Sequence, residues 1–346
     1  MPIRIGTGLA ARAVLLAVGL AVTTPAAAGP AILLEAESGR VLYAEDPDHG
    51  WYPASLTKIL TAYIAFEDLK AGRIQPTDMV TVSEAAAAEP PSKLGLPVGS
   101  EITMDLALRV LIVKSANDVA VMLAERLGGS VDGFATRMNA TARRLGMTRT
   151  RFVNPHGLPA PEQVTTARDL AILARAALRD FPEQHTMWTL SELSLGKLRL
   201  RSHNALLRSY DGADGIKTGF ICDSGFNVVA SATRDGRRLL AVVLGEPSGR
   251  DRNVRAAALL EHGFATADWK AMMGAPALQA LPVDTAAKPV ASVRTSVTSW
   301  NCNGRRPPRK IVRRRGKEPS KASSAAAQKS AKAPRVAKPK AATAKQ

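Results

Sequence analysis

Residues 226–245 read FNVVASATRDGRRLLAVVLG, and this stretch decides the architecture. Two runs rich in valine, alanine and leucine, FNVVASAT and LLAVVLG, bracket RDGRR, whose Asp235-Gly236 pair supplies turn geometry; the reading is a β-hairpin. Upstream, AILLEA and RVLYAE flank Glu37, Ser38 and Gly39, a second hairpin signal near residue 31. Between the two lies a segment of different period. From Ser55 to about Lys70 apolar residues recur at helical spacing behind Pro53, and further helical patterns cover about 103–113, 116–127 (stopped by Gly128 and Gly129), 130–145 and 166–179. From about 190 the period becomes alternating, through Leu193, Leu195, Leu198 and Leu200. RNVRAAALLEHGF (252–264) reads as a closing helix, after which the pattern decays. The order strands, helices, strands, helix predicts an α/β (α+β) fold: an antiparallel sheet flanked by terminal helices, with an all-helical lobe inserted between its early and late strands.

Charge divides the chain in the same way. Of 47 Lys and Arg, fifteen lie in residues 305–346 beside a single acid, Glu318; the other 304 residues hold 32 bases and 29 acids. The net charge of +17 therefore belongs to an Ala/Lys/Pro/Ser tail with too few large apolar residues to fold, expected to be disordered. At the other end, Arg4 and Arg12, the apolar VLLAVGLAV and small-residue TTPAAAG match a secretory signal cut after Ala28. The expected division is 1–28 signal peptide, 29–265 catalytic domain, 266–304 linker and 305–346 tail. Cys222 and Cys302 fit no metal site; in an oxidising compartment they pair or stay free, and spacing does not choose.

Three short motifs carry candidate chemistry: SLTK (Ser55–Lys58), SAN (Ser115–Asn117) and KTG (Lys217–Gly219). Each is weak by itself, since SLGK (194–197), Ser202-His203-Asn204 and Ser299-Trp300-Asn301 repeat the letters. Period separates them. On a helix, residues three apart share a face, so Lys58 can reach Ser55 as a base reaches a nucleophile. In an alternating segment they point to opposite faces, which forbids that partnership for Ser194 and Lys197. Ser115 and Asn117 fall where one predicted helix ends and another begins, a place that projects side chains toward a cleft. KTG falls on or beside a strand, where Gly219 lets a substrate backbone approach the strand edge and Lys217 and Thr218 suit a carboxylate. A lone KTG also fits a lysine guarding an exposed edge strand.

Taken together, SxxK, SxN and KTG, in this order with gaps of 60 and 102 residues, resemble the active-site set of penicillin-binding proteins and serine β-lactamases. DGIKTGF, SGFNVVASATRDGRRLLAVVLG and GMTRTRFVNPHGL are similar to the low-molecular-weight D-alanyl-D-alanine carboxypeptidases, over roughly residues 30–265. The resemblance implies a β-lactamase/transpeptidase-like fold and a serine peptidase. In that reading Ser55 attacks the carbonyl of the penultimate D-alanine, and Lys58, neutral through burial and a nearby cation, takes its proton. Ser115 relays a proton to the leaving amine, and Asn117 bonds the substrate backbone. Lys217 and Thr218 hold the terminal carboxylate, Gly219 leaves room for the substrate backbone along the strand edge, and the backbone N–H groups of Ser55 and Phe220 meet the oxyanion. Arg252 is the implied further carboxylate contact, with Arg250 an open alternative. His156 reads as a structural loop residue, and no histidine has metal-ligand spacing, so no metal or cofactor is expected.

The implied partners are peptidoglycan stem peptides, with β-lactam antibiotics as covalent inhibitors. An endopeptidase cutting D-alanyl cross-links would use the same residues. A β-lactamase needs fast deacylation, and the E-x-x-x-N placement is missing: Glu162 precedes QVTT and Glu183 precedes QHTM. A basic binding protein working through its tail is the reading from another class. Export argues against nucleic acid, leaving an anionic envelope surface or a soluble spacer as the role of 305–346. The expected location is the periplasm or the outer face of the cytoplasmic membrane.

Overall fold

Alternation along the strands places two different cores on the two faces of one sheet. The computed structural model describes residues 29–302. In chain order its elements are β1 (Ala31–Glu35), β2 (Val41–Glu45), a 3-10 turn (Ala54–Thr57), α1 (Lys58–Lys70), β3 (Met79–Thr81), α2 (Glu84–Ala88), β4 (Glu101–Thr103) and α3 (Met104–Val113). There follow α4 (Asn117–Gly128), α5 (Val131–Leu145), α6 (Ala167–Asp180), α7 (His185–Trp188), β5 (Glu192–Leu195), β6 (Leu198–Arg201), α8 (Leu206–Ser209), β7 (Ala213–Ile221), β8 (Gly225–Arg234), β9 (Arg237–Glu246) and α9 (Gly249–Met272). The main sheet runs β2-β1-β9-β8-β7, antiparallel throughout, so the first and last strands of the chain meet at its centre. Ala31, Leu33, Leu239, Ala241 and Val243 face α9. Their alternates Ile32, Leu34, Leu240, Val242 and Leu244 face the helical lobe. This period-two division is what a sheet covered on both faces requires.

The lobe is built around α1, which is apolar nearly all round and correspondingly buried from Lys58 to Phe66. Side-chain caps start its neighbours: Thr103 accepts from Leu106 N at 3.3 Å for α3 and Thr166 from Asp169 N at 3.0 Å for α6. The hairpins read at Gly39 and Asp235-Gly236 are present. Other expectations need correction. Leu193 to Leu200 alternate as expected, but they form a separate two-stranded hairpin, β5–β6, outside the main sheet. Among the described residues one terminal helix, α9, covers one face, and the lobe covers the other. That helix runs to Met272, so the boundary expected at 265 falls inside it. Residues 275–302 then lie back along the domain: Leu278 N donates to Gly39 O, and the side chains of Leu278, Val297 and Cys302 are buried. Cys222 and Cys302 are joined by a disulfide. The expected signal segment, and the tail beyond 304, lie outside the described residues. No described helix is long and apolar enough to cross a membrane.

Candidate active site

The nucleophile candidate sits in the first turn leading into the most buried helix. Ser55 belongs to the 3-10 turn, in which side chains at i and i+3 eclipse, and Lys58 is the first residue of α1. Lys58 Nζ lies 3.2 Å from Ser55 Oγ, 2.8 Å from Asn117 Oδ1 and 2.6 Å from the His156 carbonyl. Only 1% of Lys58 is exposed, and burial, reinforced by the charge of Lys217, pushes its pKa well below the lysine range. A neutral amine has two N–H groups and one lone pair. In that neutral form the two carbonyl oxygens would engage the N–H groups and leave the lone pair for the Ser55 hydroxyl.

Each neighbour is fixed by local structure. Ala54, which precedes Ser55, and Ser115 itself carry φ of +48° and +60°, a left-handed conformation that costs non-glycine residues about 1–3 kcal/mol and clusters at functional sites. Gly157 backs the serine turn so closely that a Cβ there would stand 1.8 Å from Ala54 O. Gly219 of β7 is pressed against the same turn: its Cβ would lie 3.0 Å from Ser55 N. Asn117 opens α4, with its Nδ2 donating to Pro90 O at 2.9 Å, so its carboxamide is engaged at both ends and positions Lys58. Asp118 accepts from Leu94 N and Gly95 N at 3.0 and 2.8 Å, tying the 90–95 loop to the same helix start.

Across the cleft, β7 is the end strand of the sheet, and its Lys217 donates to Ser115 Oγ at 2.8 Å and to Thr218 O at 3.0 Å. Burial, then the nearby Arg252, lowers the Lys217 pKa to about 7. Asp214 anchors the start of the strand, accepting from the Ser231 and Thr233 hydroxyls and from Arg238. Arg252, in the first turns of α9, is buried, donates to the His203 carbonyl at 3.3 Å and lines the cleft, whereas Arg250 is exposed. The two lysines therefore sit beneath a cleft of about 660 Å³ whose walls include Ser55, Ser115, Asn117, Thr218, Gly219, Phe220 and Arg252. That volume suits a small ligand.

The decoy motifs separate from this group. Ser194 and Lys197 are exposed on the β5–β6 hairpin, and Asn204 is buried, donating to Gly215 O. Ser299-Trp300-Asn301 is different: the motif is not part of the serine–lysine network, yet Trp300 lines the cleft. The sequence reading missed it, because it placed residue 300 in a linker; the signal available was the Cys222–Cys302 pair. His156 is a loop residue, as expected, with its Nδ1 accepting from Leu158 N, but its carbonyl also holds Lys58. Glu162 pairs with Arg151 at 2.8 Å on the surface, and neither it nor Glu183 lines the cleft.

The family model described as D-alanyl-D-alanine carboxypeptidase matches residues 20–248. The D-alanyl-D-alanine carboxypeptidase DacC of Escherichia coli is 40% identical over 240 residues, covering 67% of this chain and 60% of that protein. Penicillin binding protein 5 from Haemophilus influenzae superimposes with a TM-score of 0.67 at 38% identity, covering 70% of this chain and 73% of that one. Penicillin-Binding Protein D2 from Listeria monocytogenes, solved in a cefotaxime-bound form, matches with a TM-score of 0.63 at 29% identity over 68% of this chain and 97% of that one. The chain spans about three fifths of the length of the curated relatives it matches.

Proposed function

The chain belongs to the D-alanyl-D-alanine carboxypeptidase family of serine peptidases, and from that membership we propose that it removes the terminal D-alanine of peptidoglycan stem pentapeptides through an acyl-enzyme on Ser55. The surroundings of Lys58 carry this reading: a water-excluded amine, two carbonyl acceptors and a serine hydroxyl 3.2 Å away make a general base facing a nucleophile. Ser55 Oγ attacks the carbonyl of the penultimate D-alanine as Lys58 takes its proton. The developing oxyanion is met by the backbone N–H groups of Ser55 and Phe220, one such donor typically contributing about 3 kcal/mol. Ser115 delivers a proton to the departing amine, with Lys217 fixing its hydroxyl, and D-alanine leaves. Water then cleaves the ester with the same residues in reverse order.

Lys217, Thr218 and Arg252 hold the terminal carboxylate, and the second N–H of Asn117 Nδ2 serves the substrate backbone. A β-lactam presents the same carboxylate and a strained amide, so it acylates Ser55. The absence of a cleft glutamate among the described residues supports slow release, which favours a penicillin-binding protein over a β-lactamase. Residues 1–28 serve export, to the periplasm or the outer face of the cytoplasmic membrane. Residues 29–302 are the catalytic unit, and 305–346 contact an anionic envelope surface.

A reporter penicillin should label the mature wild-type protein and the Ser194→Ala variant but not Ser55→Ala. Labelling retained by Ser55→Ala would sink the assignment. Incubation with a pentapeptide and with a cross-linked dimer, read by mass, should show D-alanine loss from the first; cleavage of the dimer alone would make the protein an endopeptidase.

A further inference from the structure

The segment after α9 is tied down at points that converge on the cleft. Val293 N donates to Asp223 O at 3.0 Å, Ser292 Oγ and the Arg294 guanidinium bond the Asp223 carboxylate, and Thr298 N donates to Pro247 O at 3.1 Å. Cys302 then closes a disulfide to Cys222, in the turn between β7 and β8, while Arg294 Nη1 holds the Cys302 carbonyl at 3.0 Å. Between these ties stands Trp300, 62% exposed, its ring 5.6 Å from that of Phe220, which in turn stacks on Phe226 at 4.2 Å. An indole carried on backbone tied down on both sides, and left this open in a cleft wall, offers its face to a ligand.

Strand direction identifies that ligand. Lys217 and Thr218 receive the carboxylate and Gly219 lies against Ser55, so residues preceding the scissile bond continue along Phe220 and Ile221 toward the turn that carries Cys222. We propose that Trp300, delivered by the disulfide-tethered strap, forms with Phe220 an aromatic subsite for the aliphatic side chain of the residue preceding D-alanyl-D-alanine, and so determines peptide specificity. The inference rests on the carboxypeptidase reading above.

The test compares D-alanine release from N-acetyl-D-alanyl-D-alanine and from diacetyl-L-lysyl-D-alanyl-D-alanine, with kcat and KM measured separately. The preference of the wild type for the longer peptide, as a ratio of kcat/KM, should fall about tenfold in Trp300→Ala, mainly through KM, as loss of an aromatic contact to a few methylenes implies. Trp300→Phe should retain most of the preference, and Cys222→Ser/Cys302→Ser should lose it like Trp300→Ala. An unchanged ratio in Trp300→Ala, or equal losses on both peptides, overturns the subsite while D-alanine release by the wild type leaves the carboxypeptidase reading standing. A wild type that neither releases D-alanine nor takes up penicillin overturns both. If the double serine variant unfolds on heating before the assay temperature, Trp300→Ala alone decides.

Discussion

Lys58 and Lys217 differ in what their depressed pKa values are for. Burial, then the charge of Lys217, lowers the Lys58 pKa well below the lysine range, the direction that the proposed general-base role requires. Lys217, lowered to about 7 by burial and then by Arg252, has to be cationic for the carboxylate-binding role proposed for it. As pH rises through about 7 the free protein loses that cation, so kcat/KM for D-alanine release should fall through a rise in KM. A bound carboxylate restores the charge by raising the pKa of Lys217, so kcat should stay flat over the same range. A pH series on the dipeptide from 5 to 9 checks this, and a KM that is constant across pH 7 would refute the role given to Lys217. At this scale the sequence was informative: SxxK, SxN and KTG name the residues that meet, because a spacing of three puts Ser55 and Lys58 on one face whether the turn is 3-10 or α. What spacing could not carry was the engagement of Asn117 by Lys58 and Pro90, which depends on the 90–95 loop folding over α4.

Helix α9 shows where element-level reading works and where it stops. Its buried positions Arg252, Ala256, Leu259, Leu260, Gly263 and Ala267 recur at helical spacing only while the helix crosses the sheet. Past Ala267 it has left that surface, Trp269 and Met272 are exposed, and the pattern that would mark its end is gone. At Gly263 the crossing is tightest: a Cβ there would lie 2.7 Å from Leu239 Cδ1 and 2.9 Å from Leu33 Cδ2. Gly263→Leu should therefore lower stability by about 1–3 kcal/mol, the usual range for overpacking, with penicillin labelling preserved because Ser55 lies on the other face of the sheet. Chemical denaturation would measure the first and the reporter the second; an unchanged midpoint would contradict the close packing. The three-residue strands β3 and β4 escaped the sequence for a related reason, being too short to show alternation.

At the scale of the whole chain, one buried ion pair holds the strap to the lobe. Arg168 of α6 grips Asp48 with Nε and Nη2 at 2.6 and 2.9 Å and donates also to the carbonyls of Leu278, Leu281 and Pro282. Burial opposes the charge on Asp48, yet Arg168 and the Asp284 N–H hold its pKa below the usual carboxylate value. Arg168→Ala should cost about 3–5 kcal/mol, since it leaves a buried carboxylate unpaired and three carbonyls without their donor. Arg168→Ala with Asp48→Leu, which removes the stranded charge as well, should recover part of that loss in a thermal unfolding series. No recovery would mean that the carbonyl contacts, and not the charge, matter.

The sequence by itself determined the order of the main-sheet strands and the longer helices, the three motifs that meet around Ser55 and Lys58, and the concentration of positive charge at one end. Those properties are written in local period, in spacing and in composition. Only the tertiary structure decided that residues 275–302 return to the domain formed by the sheet and its helical lobe, that Cys222 pairs with Cys302 and that Trp300 reaches the cleft. The strap has no period of its own; hydrogen bonds to distant residues such as Gly39, Arg168 and Asp223 hold it. A segment defined by its partners can be located only once those partners have been brought together.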